Sequence, residues 1–167
     1  MQDTILRKLS RIADHSDKEI LRQLLTAIGD RLSSCATSTA GLVIKIGGST
    51  LAKTGAAVFQ AVVQGKSIAI AAATDMPALT GLTITANKFN VACFFVDSSG
   101  TTSVAFGTEG ATESAVVFPD FPVGKALIGY LVITHSATFT GGTTALDTAT
   151  TKYVSPVGAF DPTLLVS

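Results

Sequence analysis

From residue 37 to the end of the chain, no apolar repeat of helical spacing is long enough to make a helix, which rules out an α/β alternation. In its place stand short runs of Val, Ile, Ala and Thr cut by Gly, Pro, Asp and Ser, the pattern of an antiparallel domain with many short strands. The spacing predicts strands over 41–46, 56–64, 66–73, 82–86, 89–97, 101–107, 114–118 and 126–135. A tight hairpin turn is expected at Gly65-Lys66 and a longer one over Asp97 to Thr101. The runs FNVACFFVD (89–97) and ALIGYLVI (126–133) are apolar almost throughout, so they are expected as central strands covered on both faces. Pro119 and Pro122 interrupt any strand between them and make an extended surface connection. The predicted fold is mainly β: an antiparallel β-sandwich or jelly-roll-like domain over 37–167, preceded by a helical segment over 1–36.

That first segment is a different kind of sequence. It holds eleven of the 24 Asp, Glu, Lys and Arg residues in about a fifth of the length. Ile5, Leu9 and Ile12 follow 4,3 spacing, and Leu21, Leu25, Ile28 and Leu32 follow 4,3,4 spacing, which sets each group along one helix face. Between them SDKE, Ser16 to Glu19, reads as a capping box. Two helices are therefore expected, over about 3–13 and 17–33. A narrow apolar stripe on a short helix must bury against something. Two covers are open: the chain's own β-domain, or the same helix in other copies, as in a trimeric bundle. These seven residues are the candidate oligomer or anchoring interface.

Composition excludes several function classes. The 167 residues suit one domain with a small appendage and are enough to bury a real core. Hydrophobic residues make up 47% and charged ones 14%, a surface short of charge that favours association. Net charge is zero and every Arg lies in the first 31 residues, so no basic face for nucleic acid is expected. Cys35 and Cys93 suggest two free thiols, with Cys93 buried, rather than a disulfide framework or a zinc site. The N-terminus lacks a signal-peptide run and no apolar stretch approaches the ~20 residues of a membrane span, so no membrane partner is expected.

The candidate chemical motifs are weak in context. GLVIKIGGSTLAKTG (41–55) has the letters of an amino-acid kinase phosphate turn, but a phosphate site needs a helix N-terminus after the glycines. Here Gly55 and β-branched residues follow, and AAVFQAVVQG fits a strand and a turn. Lys45, Lys53 and Lys66 read as solvated strand or turn residues. FTGGTTALDT (139–148) lacks the Lys of a P-loop and reads as a turn in which Gly141-Gly142 permits positive φ. His135 with Ser136 or Ser155 and Asp147 spells a triad on paper, without a nucleophile elbow or oxyanion signature. His15 falls in the turn between the two predicted helices. The carboxylates Asp75, Glu109, Glu113 and Asp120 show neither glycosidase pairing nor a calcium-loop spacing. No catalytic, cofactor or metal site is expected.

Six blocks in order, GLVIKIGGSTLAKTG, ATDMPALTGL, FNVACFFVDSSGT, FPVGKALIGYLVI, FTGGTTALD and VGAFDPT, make residues 40–162 resemble structural proteins of tailed-bacteriophage virions, of the head-decoration or head-fibre type. The resemblance implies a non-enzymatic virion protein, made in the host cytoplasm and carried on the capsid surface. It implies a homo-oligomer bound to the major capsid protein, with a trimer preferred only by analogy with threefold virion sites. It supplies no catalytic residues. The alternative is a carbohydrate-binding or adhesin module of a tail or fibre, weakened by the lack of Trp and the presence of only two Tyr.

Overall fold

A computed structural model describes residues 15–160. Among the described residues the protein is mainly β, with antiparallel sheets and one α-helix near the N-terminus. Helix α1 spans His15–Ser33 and hands over directly to strand β1 (Cys35–Ala36). The predicted helix over 3–13 lies outside the described residues, and Ser16, expected as a cap ahead of the second helix, falls within it.

The remaining strands are β2 (Val43–Ile44), β3 (Ala52–Lys53), β4 (Phe59–Val63), β5 (Lys66–Ile70), β6 (Thr83–Ile84), β7 (Phe89–Asp97), β8 (Thr102–Phe106), β9 (Lys125–Thr134), β10 (Phe139–Thr140) and β11 (Thr150–Val154). They form a four-stranded sheet in the order β11-β9-β7-β8, a three-stranded sheet β1-β4-β5, and two small ribbons, β2-β3 and β10-β6. The main core lies between the two larger sheets: Phe59, Ala61, Val63, Ile68 and Ile70 from one meet Ala92, Phe94, Val96, Ile128 and Leu131 from the other.

The two apolar runs are adjacent central strands, β7 and β9, buried on both sides. Their outer face carries a second cluster, in which Val91, Cys93, Phe95, Leu127 and Tyr130 lie beneath Val116, Phe118, Phe121 and Phe160. The 107–124 excursion and the C-terminal strap thus close the side of the sheet that a simple sandwich would leave to solvent. The strand expected over 114–118 is instead a short 3₁₀ turn (Glu113–Ala115) followed by a single bridge from Thr108 to Val117. The β4–β5 turn is also one residue earlier than expected: Gln64 and Gly65 both have positive φ, and Lys66 already pairs with Val63.

Among the described residues, contacts at its C-terminal end root α1 in the body. The Asp30 carboxylate accepts from the Gly124 amide at 3.1 Å to each oxygen, the Ser33 carbonyl accepts from the Gly65 amide, and Ser34 Oγ accepts from the Gln64 amide at 3.2 Å.

Candidate functional site

On α1 successive residues turn by about 100°. Ile20, Leu24, Ile28, Leu21, Leu32 and Leu25 then fall, in that angular order, on one arc about 140° wide, which Arg31 and Asp17 share on either side of Leu24; Ile28 to Leu25 is its uninterrupted aliphatic part. Glu19, Thr26, Asp30 and Gln23 lie on the opposite side. It is this polar side that faces the protein's own body: Asp30 bonds Gly124, and Glu19, Arg22, Gln23 and Thr26 line a recess of about 400 Å³ with Val123.

The apolar face therefore points away from the sheets. Leu25 is 42% exposed, Ile28 47%, Leu24 56%, Ile20 61% and Leu32 66%, while Leu21 is half-buried. Of the seven predicted interface residues, Leu21, Leu25, Ile28 and Leu32 are thus brought onto one continuous face, and Ile5, Leu9 and Ile12 lie outside the described residues. Ile20 and Leu24 belong to the same face and escaped the 4,3,4 reading, although their i, i+4, i+8 spacing with Ile28 was there to be found.

At the foot of the helix a cleft of about 80 Å³ opens among Asp30, Ser34, Cys35, Phe121, Val123 and Phe160. It continues the aromatic cluster, where Phe118 meets Tyr130 edge to face with centroids 5.3 Å apart and Phe121 stacks on Phe160 at 5.9 Å. Burial pushes the Tyr130 hydroxyl up to about 12 and raises the Cys93 thiol well above its ordinary range. Cys35 and Cys93 are both free thiols.

The motifs with chemical letters are occupied by the fold itself. Gly48, with φ at 77°, presents its amide to an anion, but the anion is the chain's own Asp147, whose Oδ2 accepts at 2.7 Å. The Leu146 amide donates to the Ser49 carbonyl beside it, so the two Gly-rich stretches clasp each other. In the second stretch only Gly142 has positive φ; Gly141 is there because a Cβ would lie 2.0 Å from the Leu79 carbonyl oxygen.

The paper triad is dispersed. Ser155 Oγ accepts from the Leu42 amide, Asp147 holds Gly48, and His135 Nδ1 accepts from the Ala137 amide at 3.1 Å. His135 and Ser136 border a polar recess of about 270 Å³ with Asn87, Thr134, Thr148 and Thr150. Asp75, Glu109 and Glu113 pair with Lys45, Lys88 and Lys152. Lys66 is exposed, as expected, and also donates to the Ser98 carbonyl at 2.7 Å, tying the β4–β5 turn to the β7–β8 turn.

Glu109 and Asp97 each accept three hydrogen bonds at their carboxylates, and Glu109 bridges two loops. It accepts from the Thr85 amide, the Lys88 ammonium and the Thr85 hydroxyl, which together hold it down to about 2. Among the described residues no group of three or more His, Cys, Asp and Glu is placed to hold a metal, and no helix is long and apolar enough to cross a membrane. No family model, curated protein or solved structure matches the chain.

Proposed function

We propose that the protein is a structural component of a bacteriophage virion, of the capsid-decoration or head-fibre type, which sits on the capsid exterior as a homo-oligomer and stabilises the shell. The observation that carries this reading is the exposed aliphatic face of α1, turned away from a body that is already fully closed on both sides of its main sheet. Such a surface has no use in an isolated subunit and a clear one in an assembled protein. The β-body supports the same reading, because its carboxylates and glycine turns are spent on internal ties rather than gathered into a reactive cleft. The ordered blocks over 40–162 supply the virion context. Decoration acts by adding buried area across neighbouring capsomers, which raises the cost of separating them. Cryo-electron microscopy of the intact virion tests this: density for the β-body on the outer capsid surface is expected, and its absence from the virion would overturn the proposal.

For the adhesin alternative the polar recess bounded by Asn87, His135, Ser136 and Thr148 is the place to act. That recess offers hydroxyl and amide groups but no aromatic platform for a sugar ring. A glycan array with hits lost in Asn87→Ala would favour it over decoration.

A further inference from the structure

We infer that the apolar face of α1 is covered by the same face of two further copies of the chain, in a parallel three-helix bundle with the β-bodies held outside it. This deepens the homo-oligomer reading above by naming the occupant of the helix face, its number and its direction.

The chain's own body is not the occupant, because Asp30 and the Ser33–Ser34 corner fix the helix with its polar side inward. A lipid surface fits poorly, since Lys18, Glu19, Arg22 and Asp30 give the polar side both signs of charge. A helix of the same spacing fits well. The 4,3,4 interval places Leu21 and Ile28 at d positions and Leu25 and Leu32 at a positions of a heptad repeat. Leu25 and Leu32 at a with Ile28 at d favour three or four strands over two, while the other d position holds Leu21.

Ile20 and Leu24 lie beside this seam, with Arg31 and Asp17 on either side of Leu24, and stay wet in a dimer. Six exposed or half-buried aliphatics along about 18 Å of helix present on the order of 450 Å² each time the chain is repeated. In a bundle of three each helix meets a neighbour on both flanks and can bury all of this area, whereas in a pair the edges of the face stay wet. Three identical copies close only under a threefold axis, and that symmetry makes the helices parallel.

Light scattering and native mass spectrometry on the full chain at tens of micromolar should give three times the 17.1 kDa chain mass. Leu25→Asp should give one chain mass while the β-sheet circular dichroism stays unchanged. Direction is read by Leu32→Cys in a Cys35→Ser background. Parallel helices bring three such thiols level, and mild oxidation should link two copies; antiparallel helices place them at opposite ends and give no link. A monomeric or dimeric wild type, an intact trimer in Leu25→Asp, or no Leu32→Cys cross-link in a trimer would each overturn the inference. Absence of the protein from the virion would overturn the proposed function and leave the bundle standing.

Discussion

The Gly48 amide and the Asp147 carboxylate meet because a turn at positive φ exposes an N–H that needs an acceptor, and a carboxylate supplies a charge-assisted one. Side chains of this protein repeatedly serve as ties of that sort between loops. Asp97 is another: the Ser99 hydroxyl and amide bond its Oδ1 inside the β7–β8 turn and hold its carboxyl below the usual range. Glu109 joins the 107–110 corner to the Thr85–Lys88 turn by the same chemistry, and its pH dependence follows from the sign of its shift. Its carboxyl titrates near 4.5 when unfolded and at about 2 when folded, so the folded state prefers the ionised form. Its contribution is fully present above pH 4.5 and is lost as pH falls toward 2. Glu109→Gln should therefore lower stability at neutral pH and flatten the acid arm of a plot of urea midpoint against pH. A variant whose acid arm runs parallel to the wild type would show that Glu109 is a spectator.

The interface between α1 and the body depends on few groups, so it can be loosened without disturbing the sheets. Asp30→Ala removes the acceptor of the Gly124 amide and should cost about 1 kcal/mol for a partly exposed charged hydrogen bond. Amide exchange should quicken at Gly124 and along α1, with the β7 and β9 amides unchanged; slowed or equal exchange at Gly124 would refute the tie. Strand β9 shows a tighter constraint. Phe94 pairs with Gly129 and Phe95 with Leu127, so Ile128 is an extra residue in β9. The faces switch there: Ala126 and Ile128 enter the main core before the bulge, Leu131 and Ile133 after it. A Cβ on Gly129 would lie 2.5 Å from the Val154 carbonyl oxygen and 2.7 Å from Leu42 Cδ1. Gly129→Ala should destabilise the protein by about 2 kcal/mol in urea unfolding, since the neighbours are backbone and packed core. Elements of this kind mark the limit of what could be read ahead of the structure. The long apolar strands announced themselves because burial on both faces removes every polar residue from 91 to 96. The two-residue strands β1, β3 and β10, and the strand β11 with its Thr-Thr-Lys start, left no such run: β3 is a short ribbon with nearby β2, while β1, β10 and β11 pair with strands sixteen or more residues away. The bulge left only a glycine as its trace. On α1 the stripe was legible, but its direction away from the body was not, since that is fixed by Asp30 meeting a loop almost a hundred residues on.

At the scale of the molecule, the β-body and the helix obey different rules of stability. The body encloses two apolar clusters of its own. The helix, at 19 residues, is marginal by itself in water and shows its apolar side to solvent. Fully burying a Leu or Ile contributes roughly 1.5–3 kcal/mol, so covering five that are about half exposed contributes on the order of 4–7 kcal/mol per helix, an upper bound. Helix formation should therefore be linked to association, and unfolding should separate into two events. For a trimer, two associations are lost, and each tenfold dilution weakens the assembled state by about 2.8 kcal/mol per trimer. Thermal melts followed by helical circular dichroism should move to lower temperature on dilution. Melts followed by the near-ultraviolet signal of Tyr130, which is 2% exposed beneath Phe118 and Phe160, should stay where they are. Leu25→Asp should abolish the first transition and leave the second. If both signals melt together at a temperature independent of concentration, the helix is held by its own body, and the aliphatic face has some purpose other than joining copies.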